Sequence, residues 1–181
     1  MKKAIIFIKK HPYSLLFALA TFFLMARIFS FSAEASEASN ETSEGVCAFL
    51  AALFVKGFTN LSQAAQQAKI EELVPFIRKL AHFAIYAALG FFALLTQAAF
   101  LLELKRKTAY LKCSSLAAGF CLLYAATDEI HQLFVSGRSA SVLDVLLDFS
   151  GVLTGIIFAS AAVALLLRFL KKNKNKRNYI K

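Results

Sequence analysis

VLDVLLDFSGVLTGIIFASAAVALLL, residues 142–167, decides how the rest of the chain is read. Its apolar residues do not alternate, and no Pro interrupts them, so a half-buried strand is excluded. A helix needs about 20 residues to cross a hydrocarbon layer about 30 Å thick, and this stretch exceeds that length. Yet Asp144 and Asp148 stand in its first turns, with Gly151 and Gly155 following at three- and four-residue steps. That spacing places all four on one helical face. A charge at mid-membrane depth costs about 2.5 to 3.5 kcal/mol even on lenient scales, so Asp148 calls for a partner or water.

The remaining sequence has the same solvent preference. Hydrophobic residues make up 59% of the 181, 19 of them Phe, and the mean hydropathy is +0.61. These values describe an integral membrane protein rather than a soluble domain. With two Pro and seven Gly, a turn-rich barrel is excluded and the fold class is all-α. The expected architecture is a bundle of four transmembrane helices, at residues 12–31, 80–102, 114–131 and 142–167, with an interfacial helix on the outer face. A basic amino end (1–11) and a basic tail (171–181) flank one membrane domain (12–170), whose outer segment is 32–79. Cys47, Cys113 and Cys121 have neither disulfide nor zinc spacing and are expected to pack as small apolar residues.

Lys and Arg set the expected direction. Lys2, Lys3, Lys9 and Lys10 precede the first span; Lys105, Arg106, Lys107 and Lys112 link the second to the third; a run from Arg168 to Lys181 follows the fourth. Nearly all acids lie on the other side or at its membrane boundary. Both termini are therefore expected in the cytoplasm of a multi-pass protein. Because the basic residues flank spans, anionic lipid accounts for the +10 charge and no nucleic-acid partner is expected. The amino end also has the form of a cleavable leader, but Arg27 interrupts its transition to small residues, and a retained anchor is preferred. In the outer segment, residues 32–45 read as a solvated linker, VCAFLAALFVKGF (46–58) as a short interfacial helix, and residues 62–73 as a separate polar helix capped by Asn60 or Ser62.

The polar residues near the spans form a pattern. Lys79, His82 and Tyr86 share one face at the head of the second span, preceded by Arg78. Taken singly, the two cations are also interfacial anchors and His82 a bundle histidine. The third span runs out into Asp128, Glu129, His131 and Gln132, with Asp128 facing His131 and Gln132. Ser141 is the expected cap of the fourth span, and Arg138 the expected partner of Asp148. GVLTG is a small-xxx-small face suited to close helix approach or to self-association, so oligomeric state stays open. Together these groups read as one water-accessible pocket at the outer membrane boundary; the competing reading is an ion-pair network that only locks the helices.

RKLAHFAIY (78–86) and DEIHQLFVSGRSASVLDVLLDFSGVLTG (128–155) resemble the VanZ-like family of bacterial membrane proteins. The resemblance covers roughly residues 29–155 and marks Lys79, His82, Tyr86, Asp128, Glu129, Gln132, Arg138, Asp144, Asp148, Gly151 and Gly155. Ser136 stands where many relatives have Pro, and Asp148 where some have Asn. The resemblance implies residence in the bacterial plasma membrane and a role in tolerance of glycopeptide antibiotics, particularly teicoplanin; it supplies no reaction.

Two functions follow from the residues. In the first, Arg78, Lys79, Tyr86, Gln132, Arg138, Asp144 and Asp148 bind the headgroup of a membrane lipid or a lipid-linked cell-wall precursor. In the second, the pocket hydrolyses or transfers a group on a phosphorylated or lipid-linked substrate, with His82, His131, Asp128 and Glu129 as catalytic candidates. No cofactor is named by the sequence. Four carboxylates would suit a divalent cation, although no dedicated metal spacing is present.

Overall fold

The computed structural model describes residues 11–34, 36–103 and 110–179. The expected roles of Lys2, Lys3, Lys9, Lys10, Lys105, Arg106, Lys107 and Lys181 lie outside the described residues. Within them the chain is helical, with no strand: α1 (Pro12–Ser32), α2 (Ser36–Phe54), a 3-10 turn (Phe58–Asn60), α3 (Gln63–Glu103), α4 (Tyr110–Gln132) and α5 (Val142–Tyr179). Pro12 opens α1, where its missing N–H interrupts no helical bond. The Glu103 carboxylate supplies the cap, accepting from the Tyr13 and Ser14 amides at 2.9 and 3.2 Å, from the Ser14 hydroxyl at 2.7 Å, and facing His11 Nδ1 at 3.1 Å. The end of α3 is thereby tied to the start of α1.

Two expectations for the outer segment are corrected. The linker is largely helical, since α2 begins at Ser36. The polar helix and the second span are a single 41-residue helix, α3, continuing through Pro75. Proline removes one ladder bond and crowds the preceding turn. Ile70 and Val74, immediately before it, are buried against Cys47 and Ala51 of α2 and Phe58, and this packing holds the helix across the defect. Gly57, at φ 77°, provides the left-handed residue that turns the chain after α2.

Among the described residues, three helices are long and apolar enough to cross a membrane: α1, α3 and the part of α5 spanning Val142–Phe169. The expected third span, α4, has 23 residues, but Lys112, Ser114 and Ser115 near one end and the charged Asp128 and Glu129 at the other leave it outside this set. Phe22, Phe23, Phe158, Ile157 and Leu165 point outward and exposed. Such an extended apolar surface suits lipid and not water, and it marks a membrane protein.

The core lies between α3, α4 and α5. Tyr86, Leu89, Leu94, Val152 and Ala159 are buried there. From α4 come Cys113, Ala117, Cys121 and Ala125, a stripe of small residues at four-residue spacing, all buried. The cysteines are free and, as expected, serve as small packing groups. At the α3–α5 crossing, a Cβ on Gly155 would overlap the Ala87 carbonyl oxygen, and one on Gly151 the Phe83 carbonyl oxygen. Gly90 of α3 has the same relation to the Val152 backbone. The small-residue face of GVLTG is thus used within the chain, against α3.

Candidate functional site

This close crossing brings the polar head of α5 beside α3. A cavity of about 240 Å³ opens there. Its walls are Pro75, Arg78, Lys79 and His82 of α3; Glu129 and Gln132 at the end of α4; Gly137, Arg138 and Ser139 in the following loop; and Asp144, Leu147 and Asp148 of α5. Of the residues expected from the sequence, it gathers Arg78, Lys79, His82, Glu129, Gln132, Arg138, Asp144 and Asp148. Tyr86, Asp128 and His131 do not line it.

The loop that presents Arg138 is built from backbone bonds. The Val135 amide donates to the Gln132 carbonyl at 3.0 Å, and the Arg138 amide to the Val135 carbonyl at 3.2 Å. Gly137 takes φ 74° as the third of the four turn residues, the position that in a type II turn requires a left-handed residue. Ser136 precedes it, where such turns favour Pro.

Arg138 does not pair with Asp148, which corrects the expected partnership. Its Nε donates to the Glu34 carbonyl and its Nη2 to the Phe31 carbonyl, both at 3.0 Å. The guanidinium therefore sits on carbonyls at and just beyond the carboxyl end of α1, the negative pole of that helix. Burial, followed by the nearby Arg78, pulls Arg138 below its ordinary pKa. Arginine retains its charge through such shifts.

Asp148 faces α3 instead. Its Oδ1 lies 3.8 Å from His82 Nδ1, the carboxylate is 1% exposed, and neither oxygen has a hydrogen bond among the described residues. Lys79 Nζ meets Asp144 Oδ1 at 3.0 Å, within ion-pair distance but without hydrogen-bond geometry. Both of these side chains are partly exposed, so solvent weakens the pair. Glu129 joins two elements: Oε1 accepts from Gln132 Nε2 at 3.1 Å and Oε2 from the Ser141 amide at 2.9 Å. The Ser141 hydroxyl accepts the Leu143 amide at 3.2 Å, which is the expected cap of α5.

Below the cavity, the buried Tyr86 hydroxyl donates to Asp128 Oδ2 at 3.2 Å. Asp128 thus bonds across to α3, while the Gln132 amide serves Glu129. The His131 ring packs on Phe29 of α1 with centroids 4.5 Å apart, away from the lining. Among the described residues, no group of three or more His, Cys, Asp or Glu side chains converges to hold a metal ion. Sequence reasoning missed Pro75, Gly137, Ser139 and Leu147 as walls and the Phe31 and Glu34 carbonyls as the seat of Arg138. Only Gly137, next to an arginine between two helices, carried a recognisable turn signal.

The arrangement combines three cationic side chains and a histidine with three carboxylates, of which Glu129 and Asp148 are buried. It can hold an anionic group by charge and by paired donors, and it offers oxygen acceptors to hydroxyls, amides or amines on the same molecule. No curated protein and no solved structure matches the chain. The family model described as VanZ/LLP1 matches residues 17–167, which include every residue of the cavity wall. By that match over most of its length, the chain belongs to the VanZ/LLP1 family.

Proposed function

We propose that this protein binds, in its charged cavity, the phosphate-bearing headgroup of an envelope lipid or lipid-linked cell-wall precursor, and that it thereby raises tolerance of teicoplanin. The carrying observation is the cavity itself, with Arg78, Lys79, His82 and Arg138 converging on about 240 Å³. Four helices cross the membrane, α4 being the third, because its buried stripe from Cys113 to Ala125 belongs to the same core as α3 and α5. Both termini are cytoplasmic and the cavity opens outward, in line with the basic residues beside the spans.

Teicoplanin tolerance of cells expressing the wild type and Arg138→Ala tests this reading, with lipids and precursors followed by mass spectrometry. Arg138→Ala removes two hydrogen bonds from a charged donor, each worth about 1.5 to 3 kcal/mol; folded protein is expected to remain in the membrane while tolerance is lost. Unchanged tolerance in a stably expressed variant would remove the cavity from the function.

His82 and Asp148 favour a second reading, in which the bound headgroup is also cleaved or transferred. A buried carboxylate lies 3.8 Å behind a partly exposed histidine, the order of groups that a general base or nucleophile uses. Incubating the wild type and His82→Gln with lipid separates the two readings: an enzyme yields a product that the variant does not, whereas a binding protein yields none in either form.

A further inference from the structure

A second cavity, of about 220 Å³, adjoins the charged one. Ile28 and Phe31 of α1, Val46 of α2, and Ile77, Ala81 and Ile85 of α3 give it an apolar wall. Arg78, His82 and Arg138 line both cavities. The two are therefore neighbours across a seam made of cationic and titratable side chains. On α3 the seam follows from the sequence: Ile77, Ala81 and Ile85 recur at four-residue spacing beside Arg78 and His82, so an apolar stripe runs next to a charged one.

We propose that the two cavities form one site for a phosphodiester lipid, with its phosphate between Arg78 and Arg138, its polar group in the charged cavity and one hydrocarbon chain in the groove between α1, α2 and α3. This rests on the headgroup-binding function proposed above and adds the part of the ligand that the groove holds. Three observations select a lipid chain as the occupant. The groove is continuous with a cationic seam, as the junction of a phosphate and a hydrocarbon requires. Apart from that seam, Glu34 and Ser43, its lining is aliphatic and aromatic. Its volume suits the part of a single chain nearest the headgroup, whereas a partner helix is about 10–12 Å wide with its side chains.

The test uses the full-length protein in a non-ionic detergent, with binding of 1-oleoyl lysophosphatidylglycerol measured by native mass spectrometry. Monooleoylglycerol, which keeps the chain and lacks the phosphate, is the comparison. Ala81 lines the groove and not the charged cavity, and it is exposed on its helix, so Ala81→Phe fills the groove without entering the core. Val46→Phe does the same from the opposite wall. Each buried methylene contributes about 0.8 kcal/mol, so displacing even two from the groove weakens binding about tenfold or more. The expected result is a loss of about that size in the groove variants, and a comparable loss in Arg138→Gln, in Arg78→Gln and on changing to monooleoylglycerol. If the arginine variants weaken binding and both groove variants leave it unchanged, the chain site is overturned and the headgroup reading stands. If neither arginine variant nor removal of the phosphate weakens binding, the headgroup reading fails and this inference fails with it.

Discussion

Tyr86 and Arg138 show how differently two polar residues of one constellation are used. Arg138 lies in the cavity wall, and its guanidinium is held on the Glu34 and Phe31 carbonyls, so its position is fixed by a neighbouring helix rather than by the carboxylates of α5. Tyr86 is fully buried, and its hydroxyl serves Asp128 alone among the hydrogen bonds described. Tyr86→Phe would leave Asp128 Oδ2 without that donor, at a cost of about 1 to 3 kcal/mol. A lower midpoint of thermal unfolding in detergent is therefore expected, with ligand affinity nearly unchanged because the ring does not line the cavity. A loss of affinity at unchanged thermal stability would instead place Tyr86 in the binding machinery. The two substitutions, Tyr86→Phe and Arg138→Ala, thus separate what supports the site from what forms it.

At the scale of the helix, the site depends on how closely α5 approaches α3. Gly155→Ala drives a Cβ into the Ala87 carbonyl oxygen, which belongs to backbone and cannot swing away. Overpacking of this kind costs about 1 to 3 kcal/mol, and the helices must part beside the cavity. Gly119 of α4 has nothing among the described residues within 4 Å of the position a Cβ would take, so Gly119→Ala should be neutral or stabilise by up to about 1 kcal/mol through helix propensity. Comparing the two thermal midpoints checks the crossing; equal effects would refute it. The crossing was legible in the sequence because Asp144, Asp148, Gly151 and Gly155 share a face, and so were Lys79 and His82 as neighbours on another. The continuity of α3 was not, because Pro75 reads as a breaker until the packing of Ile70 and Val74 against α2 is known. Nor was the seat of Arg138 legible, since its acceptors are main-chain carbonyls that every residue carries. His131 left the predicted pocket for a similar reason: its partner, Phe29, is distant in the chain.

For the whole molecule, the sidedness of the cavity and the number of crossings are decided by one pair of engineered cysteines. The native Cys47, Cys113 and Cys121 are buried, so a membrane-impermeant thiol reagent meets little background. Ser62 is exposed just before α3 and Lys172 is exposed in the basic tail that follows the apolar part of α5. Between them lie α3, α4 and α5. If all three cross, the two positions are on opposite sides of the membrane; if α4 does not cross, they share a side. The basic residues favour a cytoplasmic tail, so intact cells should label Ser62→Cys and spare Lys172→Cys, while opened cells label both. Labelling of Lys172→Cys alone would invert the protein and face its cavity toward the cytoplasm, away from teicoplanin. Labelling of both in intact cells would remove α4 from the membrane-crossing set. The first outcome is expected because α4 buries Cys113, Ala117, Cys121 and Ala125 along much of its length in the core shared by α3 and α5, and because Glu129 bonds directly to the start of α5, so its carboxyl end reaches the same membrane boundary as the cavity.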